Sequence, residues 1–155
     1  KGRGYEPAKA IPMKFHGLGP YKTETGETPA AGAPTFSQLY GNHLGKFAKE
    51  DEKIVAVTAA MPNGTGLTGF QAQVPERYYD VGIAEEHAAL FACGQAVQGL
   101  KPFLTNNSTF FQRAYDMVVH DIGIQNLPVR LCMDRAGLSG DDGPCAWKRL
   151  KDGES

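Results

Sequence analysis

Cysteine is scarce in this sequence, and so is charge of one sign. Cys93, Cys132 and Cys145 are an odd number with no Cys-x-x-Cys spacing, so a disulfide scaffold and a structural zinc ribbon are both excluded. Cys132 falls in the apolar run Val129 to Met133 and Cys93 in a small-residue helix; both are expected to be buried, reduced thiols, which points to a reducing compartment. Lys and Arg number 16 against 17 Asp and Glu, a net charge of -1. There is no basic excess to grip nucleic acid and no acidic tail. No secretory signal is visible. Long apolar runs are missing as well. The uncharged stretch 54–74 is interrupted by Pro62, Asn63, Gly64, Gly66, Gly69, Gln71 and Gln73, so it cannot serve as an apolar membrane-spanning helix.

What is present is one ordinary domain's worth of chain, 155 residues with 41% hydrophobic content. That length buries roughly 68–70% of its unfolded surface and supports a core without staples. The chain begins at Lys1 rather than Met; it is expected to be a processed chain or a piece of a longer protein, and the motifs below favour the piece.

Residues 1–33 are punctuated every few positions by Gly or Pro, and their apolar residues (Ile11, Met13, Phe15, Leu18, Tyr21) show no sustained helical period. This segment reads as an extended connector that packs across a surface. From Thr35 the character changes. Thr35-Phe36-Ser37-Gln38 is a capping box, and Phe36, Leu39, Tyr40, Leu44, Phe47 and Ala48 form one stripe of a helix running to about Glu50. Ile54–Thr58, Tyr78–Ile83, Lys101–Thr105 and Val129–Asp134 read as strands. A glycine-rich loop (61–66) and a short helix near Phe70 follow the first, and a helix from about Glu85 to Gln98 follows the second. Thr109 to Gln112 is a second candidate capping box, opening a helix with Phe111, Ala114, Tyr115, Val118 and Ile122 on one face. Strand and helix thus alternate with short loops, predicting an α/β fold: a mostly parallel sheet with helices on both faces.

In such a sheet, ligands gather beyond the carboxyl ends of the strands. Glu85-Glu86-His87 stands directly after the second strand. Acidic residues in a first helical turn are favoured by the macrodipole alone, but Glu85 follows an apolar strand so closely that its carboxyl is expected to be partly buried. That environment suits a group that shares or shuttles a proton near neutrality. Glu86-His87 has no partner at metal spacing, so no metal site is expected. Asn106-Asn107-Ser108-Thr109-Phe110-Phe111-Gln112-Arg113 gathers polar, aromatic and cationic groups at one helix start, an arrangement that reads either as an anion cradle or as an ordinary cap with a solvated Arg. The long loop 134–143 carries Arg135 and Asp142 among glycines, and a flexible turn explains the glycines but not an Arg at the strand mouth.

Several of these strings occur together in one family. Residues 60–67 (AMPNGTGL), 79–88 (YDVGIAEEHA), 108–116 (STFFQRAYD) and 134–138 (DRAGL), with Gly2-Arg3-Gly4-Tyr5 and Phe15-His16-Gly17, resemble successive signatures of the 1-deoxy-D-xylulose-5-phosphate synthase family, thiamine-diphosphate enzymes of the transketolase group. The resemblance covers about residues 1–144. It implies an interdomain connector (1–33), the pyrimidine-binding domain (34–144) and a divergent tail (145–155). It further implies that Glu85 is catalytic and cofactor-binding, through a hydrogen bond to N1′ of the aminopyrimidine, and that Phe110 lies near that ring. Arg113, Arg135 and Asp142 match the acceptor-phosphate pocket, where a guanidinium pairs bidentately with phosphate.

The substrates so implied are pyruvate and glyceraldehyde 3-phosphate, condensed with loss of CO2 on the way to isoprenoid, thiamine and pyridoxal precursors. The cofactors are thiamine diphosphate and Mg2+, and the partners are the missing N- and C-terminal domains and a second copy in a homodimer. The location is the bacterial cytoplasm or the plastid stroma. The family has Tyr where this chain has Asn107, and Thr-His where it has Cys145-Ala146. The Gly-Asp-Gly and downstream Asn that hold Mg2+ and the diphosphate are absent, so the chain alone is expected to be inactive. The pyrimidine-binding domain of a transketolase or pyruvate dehydrogenase, and a non-catalytic stand-alone binding module, are the alternative readings.

Overall fold

The computed structural model describes residues 2–16, 19–29 and 32–136. It divides between Pro34 and Thr35 into two compact units.

The first unit contains a short helix, α1 (Glu6–Ala10), with Pro7 in its first turn. Proline is tolerated there because the missing N–H has no helical partner anyway. Tyr5, Phe15 and Tyr21 form a small aromatic cluster, with Phe15 edge-on to both tyrosines at 5.6 and 5.4 Å between ring centroids. The Tyr5 hydroxyl donates to the Thr23 carbonyl and Lys14 Nζ to that of Gly26. A five-residue helix is consistent with the absence of a sustained helical period, and the few apolar residues gather locally.

The second unit is a four-stranded sheet: β1 (Ile54–Thr58), β2 (Tyr78–Asp80), β3 (Lys101–Asn107) and β4 (Arg130–Asp134). The order across the sheet is β2-β1-β3-β4 and every pair is parallel. The central β1 is buried along its whole length, as a β-branched run covered on both faces should be. Its side chains alternate between two cores. Val57 joins Leu104, Phe111, Ala114 and the small residues Ala88, Ala89 and Ala92 of α4 (Glu85–Val97) on one face. Ile54 and Ala56 join Leu44, Ala48, Leu67, Phe70 and Val74 on the other, the face of α2 (Phe36–Glu50) and α3 (Thr68–Gln71). Helices therefore cover both faces.

The α2 capping box forms as expected: Gln38 N–H donates to Thr35 Oγ1, and Thr35 N–H donates to Gln38 Oε1. The expected α2 stripe is half realised. Leu44 and Ala48 are buried with Tyr40 packed against them, and Gly41 and Gly45 turn inward beside them, whereas Phe36, at 92% exposure, Leu39 and Phe47 face outward. The reason is close approach: a Cβ on Gly41 would lie 1.9 Å from the Gly66 carbonyl oxygen. Only the glycine face admits the loop after β1, and the bulky residues are left outside.

Three other expectations change. The second strand ends at Asp80 rather than Ile83, and Ile83 is 80% exposed. Asp80 Oδ1 accepts the N–H of Gly82 and of Ala60, turning the chain out of the sheet. The second capping box is not formed. Asn107 N-caps the four-residue α5 (Ser108–Phe111) without a side-chain hydrogen bond, a 3-10 turn follows at Gln112–Ala114, and a π-helical segment spans Met117–Ile124. Tyr115 is consequently exposed, while Phe111, Ala114 and Ile122 are buried. Finally, Cys93 is buried but Cys132 only half-buried, because β4 is flanked on one side only among the described strands and Leu131 and Met133 are exposed.

Candidate functional site

The carboxyl ends of the parallel strands collect the polar and strained residues of the second unit. Asn106, near the end of β3 and fully buried, bridges to β1: its Oδ1 accepts the Ala59 N–H at 3.0 Å and the Thr58 hydroxyl at 3.3 Å. Its Nδ2 is buried with no partner among the described residues, as is Oδ1 of Asn107. Ala60 and Arg135, both just past strand ends, have positive φ of 58° and 55°. Non-glycine residues held in this region cost of order 1 kcal/mol or more and cluster at functional sites. Asp80 secures the first of them by accepting the Ala60 N–H at 2.7 Å.

Glu85 opens α4 at this end. Its residue exposure is 2%, so the expectation of a partly buried carboxyl is exceeded. The turn at Asp80 and Gly82 (φ 75°) sets the start of α4, and the unpaired N–H groups of a first helical turn favour a carboxylate there. The compensating charge is Arg113, whose Nη1 donates to both Glu85 carboxyl oxygens at 3.0 Å. The same guanidinium lies over the Phe110 ring at 5.1 Å from its centroid. The structure thus brings three of the expected residues, Glu85, Phe110 and Arg113, into one cluster.

Arg135 is exposed at the mouth of β4. Its carbonyl accepts the Ser108 hydroxyl at 2.8 Å, which ties the β4 exit to the start of α5. Asp142 and Cys145 lie outside the described residues. His87 stacks against Phe91 and is no part of the cluster. Among the described residues no three of His, Cys, Asp and Glu come together to hold a metal ion, and no helix is long and apolar enough to cross a membrane.

Sequence reasoning missed Asn106 and Asp80 as organisers. An Asn ending an apolar strand run and an Asp two residues before a glycine were the available signals, but the partners they reach across the sheet, Ala59 and Ala60, are 47 and 20 residues distant. Two further links tie α2 to the site end of the sheet. Tyr40 and Thr105 hydroxyls are 2.9 Å apart, and Ser37 Oγ donates to Asp134 Oδ1 at 2.9 Å. Burial first, and Cys132 beside it, push the Tyr40 phenol far above its usual range.

The cluster joins a buried carboxylate to an aromatic face through one guanidinium, and two amide atoms at the end of β3 are buried with no partner among the described residues. The chain is 60% identical over 144 residues to the 1-deoxy-D-xylulose-5-phosphate synthase of Acidobacterium capsulatum, covering 93% of this chain and 23% of that protein. It is 56% identical over 144 residues to the enzyme of that name from Methylacidiphilum infernorum, with the same coverage. It spans about a quarter of the length of these relatives. Among solved structures, a split-gene transketolase described as an inactive beta4 tetramer matches with a TM-score of 0.56 and 29% identity, over 62% of this chain and 32% of that one. The family model for the transketolase pyrimidine-binding domain matches residues 32–145, and the chain belongs to that family.

Proposed function

We propose that this chain is the connector and pyrimidine-binding domain of a 1-deoxy-D-xylulose-5-phosphate synthase, which condenses pyruvate with glyceraldehyde 3-phosphate with loss of CO2. The observation that carries the reading is Glu85, nearly inaccessible at the start of α4 and clustered with Phe110 and Arg113. Residues 1–33 act as connector, 34–144 as the pyrimidine-binding domain and 145–155 as a divergent tail. Thiamine diphosphate, when bound, supplies the carbon nucleophile for pyruvate. Glu85 would hold N1′ of its aminopyrimidine by a carboxyl hydrogen bond and control the proton there, in a pocket that excludes water. Phe110 would lie against the ring. Arg113, Arg135 and Asp142 would position the acceptor phosphate, the two guanidinium groups by paired N–H donors.

The chain has no Gly-Asp-Gly motif for Mg2+ and the diphosphate, so the other domains of the enzyme hold that end and the chain alone is inactive. The whole enzyme works as a homodimer in the bacterial cytoplasm or the plastid stroma. The closer likeness to the synthases than to the transketolase structure favours this substrate pair.

The test is a full-length chimera in which residues 1–144 replace the matching segment of the Acidobacterium capsulatum synthase. Formation of 1-deoxy-D-xylulose 5-phosphate from the two substrates is expected. A folded chimera that binds no thiamine diphosphate, or that accepts only sugar phosphates as a transketolase does, refutes the proposal.

A further inference from the structure

Glu85 and Phe110 are the two surfaces that the proposed function assigns to a flat heteroaromatic ring, and here one side chain of the same molecule covers both. Arg113 Nη1 donates to Oε1 and Oε2 of Glu85, and its guanidinium carbon stands over the Phe110 ring. A guanidinium is itself a flat, delocalised plate with N–H donors in its plane, and it stacks on aromatic faces. It therefore makes with these two side chains the two kinds of contact that the proposed function assigns to an aminopyrimidine, a hydrogen bond to the carboxylate and a face toward the ring.

We infer that Arg113 is a self-ligand of the aminopyrimidine seat, occupying it in the cofactor-free protein and withdrawing when the cofactor enters. The inference rests on the reading of Glu85 and Phe110 as aminopyrimidine contacts. Three observations carry it. The Glu85 side chain is 3% exposed and that of Arg113 44%, so the carboxylate is fixed while the cation has solvent to retreat into. Nη1 alone makes both contacts, a bifurcated arrangement that lacks the hold of a two-nitrogen fork. Arg113 also belongs to the 3-10 turn Gln112–Ala114 between α5 and the π-helical segment, where the regular α ladder is interrupted. The benefit of the pairing is electrostatic, because a buried carboxylate left without counter-charge is strongly destabilising. Once displaced, the guanidinium is released for its proposed phosphate.

The test is calorimetric titration of thiamine diphosphate with Mg2+ into the full-length chimera, as wild type, Arg113→Met and Arg113→Lys, with thermal melts of each in both states. Apparent affinity falls in proportion to the fraction of molecules whose site is open. Arg113→Met is therefore expected to bind about three- to tenfold more tightly than wild type. Arg113→Lys, which keeps the charge but not the plate, falls between them. Arg113→Met should lower the melting temperature of the cofactor-free enzyme and leave that of the saturated enzyme at the wild-type value. Unchanged or weaker binding, or an equal loss of melting temperature in both states, overturns the inference. Should Arg113→Met fail to fold, Arg113→Lys decides by the same two readings. A wild-type chimera that binds no cofactor overturns the proposed function instead, so the two failures are distinguishable.

Discussion

Replacing Gly41 by alanine adds one methyl group where α2 meets the loop after β1. An ideal Cβ there would lie 1.9 Å from the Gly66 carbonyl oxygen and 2.7 Å from its carbon, well inside the 3.0 Å that real Cβ atoms respect. Both obstacles are backbone, so no rotamer change relieves them and the two segments must separate by about 1 Å. Gly66 is hemmed in from the same side, since a Cβ on it would lie 1.9 Å from the Ser37 carbonyl oxygen. Overpacking of this kind costs about 3 kcal/mol, the upper end of the usual range, and the better helix propensity of alanine returns about 1 kcal/mol. The net expectation is a loss of about 2 kcal/mol. Gly94, in the interior of α4, is the control: a Cβ there meets nothing within 4 Å. Gly94→Ala should gain about 1 kcal/mol from propensity alone. Urea unfolding of the 155-residue chain followed by circular dichroism, with equal slopes for the three proteins, reads both values. A Gly41→Ala variant as stable as wild type, or one stabilised in step with Gly94→Ala, would refute the reasoning.

Three further outcomes are expected. Thr35→Ala removes the acceptor for the Gln38 N–H and should lower stability by about 1 kcal/mol; an unchanged urea midpoint would show that the box is not maintained in solution. Asp51 is held below its usual carboxylate range by the Lys101 ammonium first and the Lys53 backbone N–H second. Because its folded value is depressed, its stabilising share is complete above the unfolded pKa of about 4 and disappears as pH falls through the folded value. Asp51→Asn should therefore melt below wild type at pH 7, the gap closing in acid; a gap independent of pH contradicts the pairing. In the full-length chimera, Glu85→Gln should nearly abolish turnover while retaining cofactor affinity, and wild-type-like exchange of the thiazolium C2 proton in that variant would remove Glu85 from its proposed role.

Local signals were legible wherever their partners lie within a few residues. The β1 bounds coincide with the apolar run Ile54–Thr58, and the α2 cap forms between Thr35 and Gln38. Glu85 was recognisable because it stands at a helix start just after an apolar, strand-like run, although the strand itself ends at Asp80. The hydrophobic stripe on α2 misled, since a period of 3.6 identifies every apolar residue on a helix but not which of two adjoining faces is buried. Ile83 misled for a related reason: its apolar character favours a strand, but the two N–H groups accepted by Asp80 end the strand first.

The amino-acid sequence by itself determined the alternation of strands and helices, hence the parallel sheet, and placed the chemistry at the strands' carboxyl ends. These follow from side-chain shape, periodicity and capping, which act over a turn or two of chain. Only the tertiary structure decided that Arg113, 28 residues from Glu85, lies against its carboxylate, and that Asn106 bridges β3 to the exit of β1. It alone decided that Gly41 and Gly45, rather than Phe36 and Phe47, join Leu44 and Ala48 on the inner face of α2. Each of these turns on distances between segments remote in sequence, where an ångström of approach selects the side chain that fits and the charge that finds a partner.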